Sequence, residues 1–184
     1  MKSAVLVIDV QNILFNPIPR PFEAELIIER INQVTSWACA NDIMVVYVQH
    51  EQMDSEIAFD TVGWQLPTDL KVEDSDQLVR KTTPDSFLNT DLEALLKKNH
   101  IEHLIVCGYA TEFCIDTTVR RAAGLGYSIE LVSDAHTTHD KPHASAEQIR
   151  AHHNATLPNI SSFGVKITAV TTDELVKVPL ALQE

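Results

Sequence analysis

The sequence is short of cysteine, of basic residues and of long apolar runs, and each shortage excludes a class of protein. Its three cysteines are an odd number without the spacing of a disulfide framework, which favours a reduced, cytoplasmic protein. Fourteen Lys and Arg against 26 Asp and Glu give a formal net charge of −12, so neither a nucleic acid nor a membrane surface is an expected partner. No apolar run approaches the roughly 18 residues of a membrane-spanning helix, and no basic-then-apolar leader precedes residue 3.

What is present fits one globular unit. The chain has 184 residues, of which 45% are hydrophobic, and this is enough to build a core without disulfides or metals. We therefore expect residues 1–184 to form a single domain.

Short apolar runs alternate with helical patterns along the chain. Runs rich in Val and Ile, apolar on both faces, are typical of strands buried in a parallel sheet. They are Ser3–Asp9, Ile43–Gln49, His103–Cys107, Ser128–Val132 and Val165–Val170. Helical spacing covers Glu23–Ala40 and Ile115–Leu125, and capping-box patterns begin further helices at Thr90, Ser145 and Thr171. This order predicts a three-layer α-β-α sandwich around a mainly parallel sheet of five or six strands.

Residues 50–76 follow neither the helical nor the strand period. They contain eight acidic residues and one Lys, with Trp64 and Pro67 among them. So long an irregular segment in a compact domain is usually functional, and we expect a lid or a pocket wall. Whether its charge selects a cationic substrate stays open at this point.

Two residues could carry chemistry at the carboxyl ends of the predicted strands, where parallel sheets bind their ligands. Asp9 ends the first apolar run, and Cys114 follows another strand at the first turn of a helix, whose N-terminus would favour a thiolate. A merely buried cysteine fits Cys114 equally well. Lys81, taken alone, reads as a surface lysine. Cys39 and Cys107 are expected to be buried and inert.

Taken together, these residues resemble the isochorismatase-like cysteine hydrolases. That superfamily includes nicotinamidases, N-carbamoylsarcosine and biuret amidohydrolases, and lactam-opening hydrolases. The resemblance runs from Ala4 to about Val170 and rests on several motifs in the right order. These are Val7-Ile8-Asp9-Val10-Gln11-Asn12, Lys81 ahead of Ser86-Phe87, residues 108–118, Gly126-Tyr127 and Ser133-Asp134-Ala135.

The resemblance implies a catalytic triad of Asp9, Lys81 and Cys114. It also implies a cis peptide bond between Tyr109 and Ala110, and an oxyanion hole formed by the backbone N–H groups of Ala110 and Cys114. In this reading Asp9 takes the thiol proton, while Lys81 lowers the pKa of Cys114 and anchors Asp9.

The implied reaction is hydrolysis of a C–N bond in a small amide, lactam or ureide through a thioester. Candidate substrate-binding residues are Gln11, Phe15, His50, Trp64 and Tyr109. The expected partners are a small-molecule substrate and further copies of the chain, as a dimer or tetramer. No cofactor is expected.

Two differences between this sequence and members of the superfamily reduce the number of reactions to consider. Isochorismatases that cleave a vinyl ether lack the nucleophilic cysteine, so Cys114 argues against that alternative. Nicotinamidases bind a metal through an Asp-x-His motif and further histidines. The corresponding residues in this chain are Val48-Gln49-His50, and the next histidine is His100. We therefore expect no metal. A non-catalytic binding protein is another alternative, against which the intact Asp9, Lys81 and Cys114 speak. A redox-sensing thiol protein is a third, and it lacks a resolving cysteine near Cys114 in the sequence.

Three further histidines have no assigned role. His136, His139 and His143 fit no common zinc spacing and are expected in a polar loop. His136 directly follows Asp134-Ala135 at the carboxyl end of a strand, so it is the candidate among them to face the pocket.

Overall fold

A computed structural model describes residues 1–177 of the chain. Six strands form one sheet in the order β3-β2-β1-β4-β5-β6, and every neighbouring pair is parallel. The strands are β1 Ser3–Ile8, β2 Met44–His50, β3 Gln77–Lys81, β4 His103–Tyr109, β5 Ser128–Thr137 and β6 Ile167–Val170. The predicted α/β class with a parallel sheet is confirmed.

Helices connect the strands and cover both faces of the sheet. They are α1 Asn12–Phe15, α2 Ala24–Ala40, α3 Leu92–Lys98, α4 Asp116–Gly124, α5 Ala146–Thr156 and α6 Thr172–Lys177. A π-helical turn, Thr111–Ile115, leads directly into α4, and a 3₁₀ turn, Leu157–Asn159, follows α5. Within residues 1–177, no helix combines the length and the apolar character that crossing a bilayer requires.

The core has two layers, one on each face of the sheet. Successive β1 residues alternate between them, so that Leu6 faces one layer and Val7 the other. Helices α3 and α4 close the Leu6 side with Leu96 and Val119, while α2 closes the other side with Ile31. Both faces of the sheet are therefore buried, as the continuous apolar runs predicted.

Capping follows the sequence at two of the three predicted sites. Ser145 forms a complete capping box with Gln148, and Thr171 exchanges hydrogen bonds with Glu174 in the same way. The capping box predicted at Thr90 is wrong: its hydroxyl donates to the carbonyl of Ser86 at 2.7 Å, and the helix begins one residue later.

One additional strand and one strand end also differ from the prediction. β3 is an additional strand at the sheet edge, on which only Val79 and Lys81 are buried. β5 continues past Val132 to Thr137, because its pairing with β4 resumes after a register shift between Val106 and Gly108. This extension carries His136 to a place beside the end of β4.

Residues 51–76 contain no helix or strand, and they are tied to the body by hydrogen bonds. The backbone N–H groups of Asn12 and Ile13 donate to the carbonyls of Gln65 and Gly63, at 2.8 and 3.0 Å. The hydroxyl of Tyr47 donates to the carbonyl of Lys71 at 2.6 Å. The segment is thus fastened to α1 and to β2 at several points between Gly63 and Lys71.

Candidate active site

The three candidate catalytic residues converge at the carboxyl edge of the sheet. Asp9 directly follows β1 with a positive φ of 51°, and Lys81 is the last residue of β3. Cys114 lies in the π-helical turn after β4. Because parallel strands all end at the same edge, residues far apart in the chain meet there.

Lys81 is the centre of the cluster. Its ammonium group lies 2.7 Å from Oδ2 of Asp9 and 3.2 Å from Sγ of Cys114. The same nitrogen also contacts Nδ1 of His50 at 3.3 Å and the carbonyl of Thr83 at 3.1 Å. Three ammonium protons thus serve four acceptors, so at least one of these bonds is shared. The side chain of Lys81 has no exposed surface, and that of Asp9 has 3%.

The environment keeps the thiol of Cys114 protonated at rest. Burial and the negative charge of Asp9 raise its pKa to about 12, although the charge of Lys81 acts in the opposite direction. Lys81 therefore lowers the pKa of Cys114 as expected, but the net shift of that pKa is upward. Because the ammonium group of Lys81 is already paired with Asp9, it only partly offsets the rise in the pKa of Cys114 that burial causes.

One carboxylate oxygen of Asp9 accepts no hydrogen bond from the part of the chain that the structure describes. Its Oδ2 receives the hydrogen bond of Lys81, whereas its buried Oδ1 has no hydrogen-bond partner among residues 1–177. A buried carboxylate oxygen without a donor is costly unless a group comes to meet it. This oxygen is available to take a proton.

His50 is part of the cluster in its neutral form. Burial, and after it the positive charge of Lys81, lower its pKa. A neutral ring has a free nitrogen lone pair, so Nδ1 accepts from the Lys81 ammonium group. His50 was expected only as a pocket wall, and its contact with Lys81 brings it closer to the chemistry than that.

The peptide bond between Tyr109 and Ala110 is cis, at the start of the turn that carries Cys114. Just before it, Gly108 has a φ of +119°, and a Cβ there would lie 2.1 Å from the carbonyl oxygen of Ile8. Only glycine allows β4 to pass this close to the end of β1. The glycine therefore sets the spacing between the Asp9 strand and the Cys114 turn.

Two of the candidate pocket residues, Gln11 and Phe15, are fully buried. The amide nitrogen of Gln11 donates to the carbonyls of His50 and Trp64, each at 2.9 Å, and its oxygen accepts from the N–H of His50. Gln11 thereby fastens the irregular segment to β2. Phe15 packs edge-on against Tyr109 at 6.0 Å. A substrate contact for either residue stays a prediction.

The other two, Trp64 and Tyr109, each contact a further aromatic or histidine ring. Trp64 is 7% exposed and packs edge-on against Phe59, at 4.9 Å between ring centroids. Tyr109 is partly buried, and its hydroxyl lies 2.8 Å from Nδ1 of His139. Their part in substrate binding also stays a prediction.

The remaining cysteines behave differently from each other. Cys107 is fully buried and burial raises its pKa to about 12, as expected for an inert thiol. The expectation that Cys39 is buried is wrong, because it is exposed near the end of α2. Its neighbour Ala38 occupies the inward position, and the following residue on the helix points away from the core.

The three unassigned histidines have separate environments. His136 lies in β5 and is fully buried, so the polar loop expected for it is wrong, whereas its place facing the pocket stays a prediction. His139 is partly buried and also contacts the carbonyl of Pro19 at 3.0 Å, while His143 is exposed. Over residues 1–177, no three His, Cys, Asp or Glu side chains are grouped as metal ligands would be.

A cysteine, a carboxylate and a lysine thus meet at the carboxyl edge of a parallel α/β sheet, and the comparisons place the chain in a family of hydrolases. The isochorismatase domain model matches residues 3–169, and the chain belongs to that family, as its motifs predicted. A streptothricin hydrolase of Streptomyces noursei is 34% identical over 143 residues, which are 77% of this chain and 52% of that protein. The chain thus spans about half the length of this curated relative.

Solved structures share the fold. A crystal structure of an isochorismatase family protein has a TM-score of 0.84 at 31% identity, covering 92% of this chain and 98% of that one. A cysteine hydrolase from Pseudomonas syringae pv. phaseolicola 1448A has a TM-score of 0.85 over 95% of this chain and 91% of its own. At 24% identity, that second likeness concerns the fold alone.

Proposed function

We propose that this protein hydrolyses a carbon–nitrogen bond in a small amide, lactam or ureide, with Cys114 as the nucleophile. The observation that carries the proposal is the position of Lys81, whose ammonium group joins the carboxylate of Asp9, at 2.7 Å, to the sulfur of Cys114, at 3.2 Å. A cysteine beside a carboxylate base, with a third group orienting both, is the arrangement that nucleophilic catalysis requires.

The first step forms a carbon–sulfur bond. Oδ1 of Asp9, which has no other partner among the described residues, accepts the thiol proton as Sγ of Cys114 attacks the carbonyl carbon. Because the resting thiol is protonated, proton transfer accompanies the attack. The carbonyl oxygen becomes an oxyanion, which the backbone N–H groups of Ala110 and Cys114 stabilise.

The following steps break the carbon–nitrogen bond and restore the enzyme. Asp9 returns the proton to the leaving nitrogen, and the acyl group stays on Cys114 as a thioester. Water then attacks the thioester while Asp9 accepts one of its protons. Collapse releases the carboxylic acid, or a carbamic acid from a ureide, and the departing thiolate takes the proton back from Asp9. Lys81 stabilises the negative charge that moves between Asp9 and Cys114.

The test is formation of ammonia, of a free amine or, from a lactam, of the ring-opened amino acid, across a panel of amides, lactams and ureides. The panel includes streptothricin, because a relative at 34% identity is named a streptothricin hydrolase. Half of its members carry a positive charge, because residues 50–76 contain eight acidic residues and one Lys. We expect turnover of at least one member by the parent protein and none by Cys114→Ala. Turnover that survives in Cys114→Ala would refute the proposal.

A further inference from the structure

A chain of polar contacts links helix α5 to the turn that carries Cys114. His136 lies near the end of β5, paired with Gly108 of β4, and its ring is fully buried. Its Nδ1 lies 2.9 Å from the hydroxyl of Thr111, and its Nε2 lies 2.8 Å from Oδ1 of Asn154. None of these three side chains takes part in the mechanism proposed above.

The contacts of Asn154 determine which nitrogen of His136 carries the proton. The amide nitrogen of Asn154 donates to the carbonyl of Ser133 at 2.8 Å, which leaves Oδ1 facing His136. A carbonyl oxygen can only accept, so Nε2 of His136 must be the protonated nitrogen. Its Nδ1 is then an acceptor, and the hydroxyl of Thr111 must donate to it. Burial lowers the pKa of His136 to about 4, which keeps the ring neutral.

Thr111 is the first residue of the π-helical turn Thr111–Ile115 and is fully buried. Its carbonyl accepts a hydrogen bond from the N–H of Asp116, which closes the turn. Cys114 lies inside this turn, and Ala110 directly precedes it. π-helical turns are rare, and they occur mostly as single turns and often at functional sites. The bond between Thr111 and His136 ties the start of the turn to the sheet.

We propose that His136 is a positioning residue for Cys114: held in one tautomer by Asn154, it accepts the hydroxyl of Thr111 and so fixes the turn that carries the sulfur. Both ring nitrogens of His136 are engaged, by Thr111 and Asn154, so His136 acts through Thr111 and not on a substrate. What the contact preserves is the 3.2 Å approach of the sulfur to Lys81. This inference rests on the proposed function, because it assumes that Cys114 is the nucleophile.

The test compares Thr111→Val with Thr111→Ser. Valine keeps the shape of threonine but has no hydroxyl, whereas serine keeps the donor and loses only a methyl group. On the best substrate of the panel, we expect Thr111→Val to lower kcat by roughly tenfold to a hundredfold with little change in KM, because a small misplacement of a reacting group slows the chemical step. Thr111→Ser should restore most of kcat. Equal values in the two variants would overturn the proposal.

A second readout needs no substrate. Iodoacetamide labels free thiols, and mass spectrometry gives separate rates for Cys114 and for the exposed Cys39 on α2, which serves as an internal reference. We expect the ratio of the two rates to fall several-fold in Thr111→Val, because Cys114 loses part of its contact with Lys81, and to stay at the parent value in Thr111→Ser. A ratio that is unchanged or raised in Thr111→Val would count against the proposal.

A second variant tests the tautomer. Asn154→Leu removes the acceptor for the Nε2 proton at similar side-chain size, and we expect it to lower kcat and the Cys114 ratio in the same direction as Thr111→Val. His152→Gln, a change at an exposed histidine two residues earlier on α5, is the matched control and should leave both values at those of the parent. Asn154→Leu behaving like His152→Gln would show that Asn154 does not act on the turn.

The two proposals fail in different ways. If Cys114 is not the nucleophile, Cys114→Ala retains turnover while the labelling ratio still responds to Thr111→Val. If the nucleophile is correct and the positioning role is not, Cys114→Ala is inactive and Thr111→Val keeps the parent kcat and labelling ratio.

Discussion

The ammonium group of Lys81 lies 2.7 Å from the carboxylate of Asp9, and the two side chains expose 0% and 3% of their surface. A buried ion pair contributes little net stability as a pair, but removing one partner leaves an uncompensated charge inside the protein. The same contact therefore governs both folding and the proposed chemistry. Separate measurements of stability and thiol reactivity can divide the two roles.

We first predict the effect of breaking this pair on stability. Lys81→Met should lower the free energy of unfolding by about 3–5 kcal/mol, because the carboxylate of Asp9 stays buried without a partner. The double variant Asp9→Asn with Lys81→Met should recover part of that loss, because no charge remains. Lys97→Met is the control, since its pair with Glu93 is exposed and its loss should leave the free energy of unfolding almost unchanged. Urea unfolding of the four proteins decides the matter, and a double variant less stable than Lys81→Met would refute this account.

Asp9→Asn should separate reactivity from turnover. The charge of Asp9 raises the pKa of Cys114, so its removal should lower that pKa and increase the thiolate fraction about tenfold for each unit of change. Labelling of Cys114 by iodoacetamide should accelerate, whereas kcat should be nearly abolished, because an amide cannot accept the thiol proton. Asp42→Asn, at an exposed acid after α2, should change neither. Retention of most of kcat in Asp9→Asn would show that Asp9 is not the general base.

Cys39, and not Cys114, should be the first thiol to react in the parent protein. Cys39 is exposed, whereas burial and Asp9 raise the pKa of Cys114 to about 12 and burial does the same for Cys107. This order reverses the one expected when Cys39 was taken to be buried. Timed labelling with iodoacetamide near neutral pH and peptide mapping measures it. Cys114 labelled ahead of Cys39 would mean that the resting thiol is already ionised.

Gly108 and Gly124 should respond oppositely to alanine. At position 108 the φ of +119° and a contact of 2.1 Å with the carbonyl oxygen of Ile8 leave no room for a Cβ, so Gly108→Ala should destabilise the fold and separate Asp9 from the Cys114 turn. At position 124, in α4, the nearest atom would be a side-chain carbon of Phe163 at 3.7 Å. Gly124→Ala should stabilise by up to about 1 kcal/mol. Thermal unfolding of both variants tests this prediction. A midpoint of unfolding for Gly108→Ala equal to that of the parent protein would show that the prediction is wrong.

The buried strands were predictable from sequence because Val and Ile on both faces leave few alternatives. β3 was missed because it is an edge strand whose residues alternate between exposed and buried, so that only Val79 and Lys81 carry the signal. The end of β5 was missed because its polar residues, His136 among them, are buried by contacts with distant parts of the chain.

The site was predictable only through the family motifs. Asp9 and Lys81 are 72 residues apart, and Lys81 alone has the pattern of a surface lysine. The raised pKa of Cys114 depends on burial and on the distances to two charges, which spacing along the chain does not contain. The link between Thr111 and His136 joins residues 25 positions apart, and its only signal in the sequence is a histidine where an apolar strand should end.

The neutral, buried ring of His136 gives a final prediction, on the pH dependence of stability. Its pKa is about 4 in the folded protein, chiefly because of burial, and about 6.5 in an unfolded chain. Between pH 4 and pH 6.5 the ring is protonated in the unfolded chain but not in the folded protein. The contribution of neutral His136 to the free energy of unfolding is therefore fully present above pH 6.5 and is lost as the pH falls towards 4. The loss should be on the order of 3 kcal/mol.

Other charged groups lie near His136 and also affect how stability depends on pH, so the parent protein must be compared with a variant that lacks only this ring. Arg150 and His153 on α5 oppose a positive charge on His136, whereas Asp134 and the bond to Asn154 favour it. These groups remain in His136→Gln, which lacks only the titrating ring. Unfolding free energies at pH 7.5 and pH 5 should therefore differ less in His136→Gln than in the parent, with the difference between the two proteins on the order of 2 kcal/mol. Equal pH dependence in the two proteins would mean that the ring is already protonated or exposed in the folded state.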